Sequence, residues 1–225
     1  MRIAFCIRGH IRDGLTNSRL VDYLTTLENR GHSIDLFLHT WNVSEAKSSY
    51  RTLDHDNIFE VKTDILSNYF SDFKTKQIII DDDSKLKLRG NLEGKIPRSK
   101  CPLIAWKRMW AGKFKLATHL YHNHTYDYDL VVNTRYDKFT TPVCYTPIKN
   151  LLKMTTRGDG LSLKYPQHYR LLKSVDNYYC GSVRTVYDIT CAFYYSLDEI
   201  IPKYEIKGFH EELFYKYAVD HGLTR

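Results

Sequence analysis

The stretch YDYDLVVNTRYDKF, residues 126–139, is the part of the chain that best indicates its fold. It contains the run LVV at 130–132, and an apolar run of this kind is typical of a central parallel strand that is covered on both faces. Arg135 and Asp137 follow that run closely. Because open α/β sheets bind ligands at the carboxyl ends of their strands, the stretch predicts a buried strand that leads into a site.

The rest of the chain alternates between patterns typical of strands and of helices. A strand, a helix and a second strand follow one another before residue 40, and this spacing predicts parallel neighbouring strands. No repeat or low-complexity linker interrupts the pattern, so a single α/β domain over residues 1–225 is expected. The predicted strands are 3–7, 34–39, 76–80, 130–132 and a segment near 177–180; the predicted helices are 15–27, 102–122, about 184–200 and 209–221; a proline-containing turn region follows 139.

The chain is basic, with 33 Lys and Arg against 26 Asp and Glu and a formal net charge of +7. This balance favours a negatively charged partner, which could be a nucleic acid, a membrane surface or a diphosphate. No RGG, zinc-finger or RNP-type pattern accompanies the basic residues. A site for a phosphate-bearing small molecule is therefore at least as well indicated as nucleic-acid binding.

Cysteine usage and the amino terminus indicate an intracellular chain. The five cysteines are widely spaced and form no CxxC pair, so neither a zinc site nor a disulfide framework is predicted. The apolar run at 3–7 is too short for a signal peptide or a membrane span. A cytoplasmic protein without a membrane span is expected.

Two acidic segments are candidate metal sites. Asp137 follows a predicted strand, and one carboxylate together with substrate phosphates is a common way to hold Mg²⁺ or Mn²⁺; the alternative is a structural Arg135–Asp137 ion pair. The run Asp81-Asp82-Asp83 also follows a predicted strand, and adjacent carboxylates repel one another unless cations neutralise them. Here the alternative is a polar loop whose charge Lys85 and Lys87 neutralise.

Three further segments carry polar side chains that could bind a ligand or take part in catalysis. Arg8-Gly9-His10 and His39-Thr40-Trp41 each follow a predicted strand, so in a doubly wound sheet they would line the same crevice as Arg135 and Asp137. The segment FHEELF at 209–214 begins a predicted helix. Its acids complement the helix dipole, or alternatively a Glu or His there serves as a general base.

The segments RGHIR, DLFLHTW, YDLVVNTRYD, DNYYCGS and HEELF, in this order, resemble glycosyltransferases of the GT-A type from bacteria and from large DNA viruses of algae and amoebae. The resemblance covers nearly the whole chain. It implies a GT-A-like central mixed, mainly parallel sheet with a nucleotide-binding half at about 1–140 and an acceptor half at about 141–225. It also implies a nucleotide-sugar donor, usually a UDP-sugar, a glycan or glycoprotein acceptor, and Mn²⁺ or Mg²⁺; for a viral protein the location is the host cytoplasm.

The same resemblance implies roles for individual residues. The metal-binding Asp-X-Asp of such enzymes falls on Arg135-Tyr136-Asp137, where Arg135 replaces the first acid, so Asp137 alone would hold the metal. Alternatively the element is Asp81 to Asp83. Arg8, Gly9 and His10 would lie beside the base and ribose, with Trp41 as a pocket wall. Lys107 and Lys113 would neutralise the diphosphate, and Arg135 would contact a phosphate or the donor sugar. Asp176 would lie near the sugars, and Glu211 or Glu212 would be the base that deprotonates the acceptor.

Two other function classes stay open on the sequence alone. A basic nucleic-acid-binding domain would show steeply salt-dependent binding to a generic oligonucleotide. A metal-dependent phosphohydrolase that uses Asp81 to Asp83 would release phosphate from sugar phosphates without an acceptor.

Overall fold

The structure, a computed structural model, describes residues 1–46, 58–139, 175–207 and 209–223. The strands in these ranges are β1 (Arg2–Arg8), β2 (Ser33–Trp41), β3 (Lys74–Asp81), β4 (Leu130–Arg135) and β5 (Tyr179–Gly181). The helices are α1 (Arg19–Glu28), α2 (Thr63–Tyr69), α3 (Leu103–His124), α4 (Val183–Tyr195), α5 (Leu197–Lys203) and α6 (Glu212–Asp220). The predicted strands and helices are confirmed to within a few residues, except that α1 begins at Arg19 and not at 15, and that the range 184–200 is divided between α4 and α5. The predicted proline-containing turn region and residues 140–174 of the predicted acceptor half lie outside the described residues.

The five strands form one sheet in the order β3-β2-β1-β4-β5. The pairs β1–β2, β2–β3 and β1–β4 are parallel, and β4–β5 is antiparallel. The expectation of a mixed, mainly parallel sheet flanked by helices is therefore confirmed. From β1 the chain builds outward through β2 and β3, and then returns to the other side of β1 as β4. This reversal of strand order between β1 and β4 is the place where doubly wound sheets bind ligands.

Each face of the sheet is buried in its own apolar core, because alternate residues of a strand point to opposite faces. In β1, Ala4 and Cys6 pack into a core with α3, α4, α5 and α6. Ile3, Phe5 and Ile7 pack into the core that α1 and α2 cover on the other face. A strand buried on both faces needs a nearly continuous apolar sequence, and this explains why β1 and β4 were recognisable as central strands.

The strand register fixes which residues meet at the carboxyl edge of the sheet. Arg8, at the end of β1, is the cross-strand neighbour of His39 in β2 and of Arg135 in β4. Trp41, at the end of β2, is the neighbour of Asp81 in β3. Residues that are distant in sequence are thus brought to one edge, where the chain leaves the sheet.

Within the described parts of the chain, the helices lack the combination of length and apolar composition that crossing a bilayer requires.

Candidate functional site

A pocket opens at the carboxyl ends of β1, β2 and β4, beside the point where the strand order reverses. The three strand ends contribute Arg8, His39, Trp41 and Arg135 to its lining. The loop after β1 adds Gly9, His10 and Arg12, and the segment after β2 adds Glu45. Sequence-predicted residues Arg8, Gly9, His10, Trp41, Arg135 and Asp83 are brought together in this pocket.

Helix α3 closes one side of the pocket with residues spaced three and four apart. Ala105, Arg108, Met109 and Gly112 lie on this face. Arg108 reaches Asp83 with an Nη1–Oδ2 distance of 3.1 Å. Arg108 was not predicted as a site residue, although a helical projection of 102–122 would have grouped it with Gly112.

Arg8 is a buried cation at the centre of the site, with 2% of its surface exposed. Its Nη2 donates to the carbonyl of Asp176 at 3.2 Å and to Oδ1 of Asn177 at 3.0 Å. Among the described residues its Nε has no hydrogen-bond partner. Burial, followed by the charge of Arg135, lowers the pKa of Arg8 to about 10, so the guanidinium is charged at neutral pH.

Asp137 is held between two arginines. Arg12 donates from Nη1 to Asp137 Oδ2 at 2.5 Å, and Nη2 of Arg135 donates to the same oxygen. Arg12 also donates from Nε to the carboxylate of Glu45. The resulting chain of Glu45, Arg12, Asp137 and Arg135 ties the loop after β1 to the end of β4. Arg12 belongs to the quoted RGHIR segment, but its partner is 125 positions away, so sequence spacing could not indicate the contact.

His10 is neutral at physiological pH. Burial lowers its pKa to about 3, and the charges of Arg12, Arg135 and Arg108 contribute in the same direction. Its ring lies beside that of Trp41, with centroids 5.9 Å apart. Trp41 in turn contacts His39 edge to face at 5.0 Å. The pocket therefore combines neutral ring surfaces with a strongly positive electrostatic environment.

Asp81, Asp82 and Asp83 have separate partners. Asp81 accepts from Lys115 at 2.6 Å and lies 2.9 Å from Nε2 of His39. The hydrogen bond with His39, reinforced by Lys115, lowers the Asp81 pKa to about 2. Asp82 pairs with Lys85 at 3.1 Å, as the alternative of a neutralised loop anticipated.

The carboxylates at the pocket can bind a divalent cation only in competition with the guanidinium groups that already donate to them. Asp137 Oδ2 already accepts from two guanidinium groups, and Asp83 is paired with Arg108. A cation at Asp137 would have to displace one guanidinium or lie beside both, against their charge. The arrangement does not fit Mn²⁺ or Mg²⁺ at Asp137. Within the described ranges, no group of three His, Cys, Asp or Glu could hold a metal ion; the metal requirement stays a prediction.

Lys107 and Lys113 do not line the pocket. Lys107 donates to Asp198 at 2.7 Å and to the carbonyl of Arg89 at 2.6 Å, on another face of α3. The Lys113 ammonium is buried, donates to the carbonyl of Asp176 and lies 3.7 Å from the ring centroid of Trp110. Burial, together with the charge of Arg8, lowers the Lys113 pKa well below its ordinary value. Both side chains support the structure around the pocket.

Asp176 and Glu211 form a second buried layer next to the pocket. Asp176 accepts from Nε1 of Trp106, a pocket residue, at 3.2 Å. Burial raises the pKa of Glu211, and the charge of Asp176 raises it further. Glu211 Oε2 lies 3.5 Å from Nδ1 of His210, whose ring contacts Trp106 with centroids 5.2 Å apart. Glu211 is therefore connected to the pocket through His210 and Trp106.

Glu212 has a structural position at the start of α6. Its carboxylate accepts from the backbone N–H groups of Lys207 and Phe209, both at 3.2 Å. It also lies 3.6 Å from the ammonium of Lys216, one helical turn further on. These contacts agree with the helix-start interpretation of the FHEELF segment for Glu212.

Comparison with known proteins adds no identification: no protein-family model matches the chain, and no curated protein matches it.

Proposed function

We propose that this chain is a GT-A-like glycosyltransferase that moves a sugar from a nucleotide diphosphate donor, a UDP-sugar above all, to a hydroxyl of a glycan or glycoprotein. The observation that carries the proposal is the pocket at the reversal of strand order, which four arginines line: Arg8, Arg12, Arg108 and Arg135. Nucleotides bind at this position in doubly wound sheets. Guanidinium groups match phosphate oxygens in both charge and geometry.

The neutral part of the pocket suits the nucleoside. His10 and Trp41 offer ring surfaces side by side, and the low pKa of His10 keeps its ring uncharged. Gly9 has a φ of 98°, a conformation that favours glycine and turns the chain sharply at the end of β1. A planar base against these rings would leave the phosphates toward Arg8 and Arg135.

The arginines of the pocket would stabilise the nucleotide diphosphate as the leaving group. When the bond from the anomeric carbon to the donor phosphate breaks, negative charge develops on the nucleotide diphosphate. Guanidinium groups that are fixed before the reaction stabilise this charge without reorganising. Arg8 and Arg135 are held by hydrogen bonds to Asn177, and Arg135 also by Asp137, so their positions are set by the fold.

Glu211 is the proposed base for the acceptor hydroxyl, which would meet it beside His210 because Glu211 lies next to the pocket and not in its lining. Its raised pKa makes its carboxylate a stronger proton acceptor than an exposed glutamate. An inverting transfer needs such a group to take the hydroxyl proton as the oxygen attacks the anomeric carbon. Asp176, which sustains this pKa, acts as a positioning residue through its hydrogen bond with Trp106.

A screen of nucleotide sugars tests the proposal. A ligand that binds only the folded chain at one hundred times its Kd adds about 2.7 kcal/mol of stability, enough for a shift of several degrees in Tm. We expect at least one nucleotide sugar to raise Tm and to release its nucleotide diphosphate when a glycan acceptor is added. Glu211→Gln should abolish release while keeping the shift in Tm.

Two outcomes would replace the proposal by another function. Steeply salt-dependent binding of a generic oligonucleotide, without any response to nucleotide sugars, would favour a nucleic-acid-binding domain. Release of phosphate from sugar phosphates without an acceptor would favour a phosphohydrolase. The separate partners of Asp81, Asp82 and Asp83 give no support to the latter.

A further inference from the structure

We infer that the pocket holds the diphosphate of its ligand by direct contact with guanidinium groups, with no divalent cation between the protein and the phosphates. This inference rests on the proposed function for the nucleotide part of the ligand. The anion site itself is argued from Arg8, Arg12, Arg108 and Arg135, and inorganic pyrophosphate is a sufficient probe of it.

The first step concerns the carboxylate at the end of β4. Arg12 and Arg135 both donate to Asp137 Oδ2, and 9% of the Asp137 side chain is exposed. A divalent cation bound to this oxygen would lie within a few ångströms of two guanidinium charges. Like charges at such distances repel strongly in a partly buried site, where water screens them little. Asp137 is therefore better described as a positioning residue that aligns two arginines.

The second step concerns the balance of charge in the pocket lining. Four arginines line it against two carboxylates, those of Glu45 and Asp83, which are paired with Arg12 and Arg108. Asp137, outside the lining, adds a third carboxylate that pairs with Arg12 and Arg135, so the arginines still exceed these carboxylates by one charge. A diphosphate neutralises the excess of positive charge, whereas an added Mn²⁺ or Mg²⁺ would increase it.

The third step concerns hydrogen-bond donors that the fold leaves unmet. In the part of the chain that the structure describes, Nε of Arg8 and Nε of Arg108 are buried and lack a hydrogen-bond partner. Buried donors are normally satisfied, and a buried charged donor is costly when it is not. Phosphate oxygens accept from guanidinium groups with short, charge-assisted bonds. A bound diphosphate would supply the acceptors that these two residues lack.

The decisive measurement uses the full chain after dialysis against EDTA. Inorganic pyrophosphate and UDP are titrated in EDTA, and again in Mn²⁺, with Tm and calorimetric affinity as readouts. We expect pyrophosphate to bind in EDTA and to bind no more tightly in Mn²⁺, because Mn²⁺ complexes the diphosphate and competes with the guanidinium groups for its oxygens. Binding that occurs only in Mn²⁺ would overturn the inference.

A matched pair of variants tests the arginines. Arg108→Gln removes a charge-assisted donor and should weaken pyrophosphate about 10- to 100-fold in EDTA. Arg184→Gln is the control, because Arg184 also pairs with an aspartate, Asp188 at 2.8 Å, but lies on α4 outside the pocket lining. Equal losses of affinity in the two variants would mean nonspecific attraction to a basic surface and would overturn the inference.

Asp137→Asn separates the two roles for that residue. The amide oxygen of Asn can still accept from Arg12 and Arg135, so the arginines stay aligned while a negative charge is removed. We expect tighter binding of pyrophosphate in EDTA, because Arg12 and Arg135 then face a neutral amide in place of the carboxylate that competes with phosphate, and no loss of binding in Mn²⁺. If the variant has the Tm of the wild type but no longer binds pyrophosphate in Mn²⁺, Asp137 is a metal ligand and the inference is contradicted.

The failure of this inference is distinguishable from the failure of the proposed function. Pyrophosphate binding in EDTA, together with no response to any nucleotide sugar, would keep the guanidinium site and remove the glycosyltransferase. Sugar transfer that stops in EDTA, with pyrophosphate binding lost as well, would keep the enzyme and remove the metal-free site.

Discussion

Charged side chains gather in two groups near the carboxyl edge of the sheet, and the two groups are held differently. Below the ends of β1 and β4, the central group consists of Arg8, Lys113 and Asp176, each at most 2% exposed. At the end of β3, the edge group consists of Asp81, Asp82 and Asp83. The central group is linked by hydrogen bonds to the backbone of Asp176, whereas each member of the edge group has its own cation.

The difference follows from where the strands lie in the sheet. β1 and β4 are covered on both sides, so a charge at their ends is neutralised by other protein charges or not at all. β3 is the edge strand in this sheet, and water shares the neutralisation of its carboxylates with nearby Lys and Arg. Replacement of a residue in the central group should therefore cost stability, and the cost should fall toward the exposed end of the edge group.

The largest effect is expected for Asp176→Asn. Arg8 would keep its charge in the interior without a carboxylate, and Lys113 would be shifted further toward its neutral form. Breaking a buried pair costs about 3–5 kcal/mol. Burial would by itself raise the Asp176 pKa, yet Lys113, His210 and Arg8 hold it below the ordinary value, so the carboxylate is charged at neutral pH. The measurement is the free energy of unfolding in urea at pH 7.

Lys113→Met is the control for this coupling. If Lys113 and Asp176 compensate one another, the double variant should be less destabilised than the sum of the single variants. Additive losses, or a loss below about 1 kcal/mol for Asp176→Asn, would contradict the description of a compensated buried group.

The second effect concerns Gly112, which lies on α3 beside His39, the histidine that bonds Asp81. A Cβ at position 112 would lie 2.6 Å from Cε1 and 2.7 Å from Nδ1 of His39. Gly→Ala in a helix normally stabilises by about 0.5–1 kcal/mol. Here the overpacking penalty of about 1–3 kcal/mol should reverse the sign, as urea unfolding can measure.

The reversal can be traced to His39 with a second substitution. In the background of His39→Ala the clash is removed, and Gly112→Ala should then stabilise the protein. Destabilisation of similar size in both backgrounds would mean that contacts other than His39 limit the space at position 112.

Much of the fold could be predicted from the sequence because the burial of strands and helices requires apolar residues in runs or at regular spacings. Apolar runs such as 3–7 and 130–132 indicate strands that are covered on both faces, and the site residues at their ends are then brought together by parallel pairing. This is why Arg8, Trp41 and Arg135 were predicted and do share one pocket.

The parts of the site that were missed depend on tertiary contacts. Lys107 was predicted, but Arg108 lines the pocket, because one residue along a helix rotates the side chain by about 100° and a basic run alone does not give the helical phase. Lys113 was expected at the diphosphate, but is buried against Trp110. The alignment of Arg12 on Asp137 joins segments far apart in sequence, which composition and spacing cannot indicate.

The third prediction is a pH dependence that belongs to the edge group. The Asp81 pKa is lowered from 3.8 to about 2 in the folded protein, first by His39 and then by Lys115. A carboxylate whose pKa is lower in the folded than in the unfolded protein stabilises the fold at pH values above its unfolded pKa. This stabilisation is lost as the pH falls through the folded pKa. The urea midpoints of wild type and Asp81→Asn should therefore differ by a constant amount above about pH 4 and converge toward pH 2.

Lys115→Met is the matched control for the pH dependence. It removes the second partner of Asp81. The pH range over which wild type and Asp81→Asn differ should therefore become narrower without disappearing, because His39 remains. A difference between wild type and Asp81→Asn that persists at pH 2 would contradict the electrostatic origin of the effect.

The smallest effect is expected for Asp82→Asn, at the exposed end of the edge group. Asp82 accepts from Ser84 in the turn after β3 and pairs with Lys85, whose side chain is 83% exposed. Exposed ion pairs contribute little to stability because water and salt screen them. The urea midpoint at pH 7 and the affinity for pyrophosphate should both equal those of the wild type. A lower urea midpoint or a lower pyrophosphate affinity for Asp82→Asn, together with a small effect of Asp176→Asn, would contradict the comparison between the two groups. The functional centre would then lie at the end of β3 and not at the end of β4.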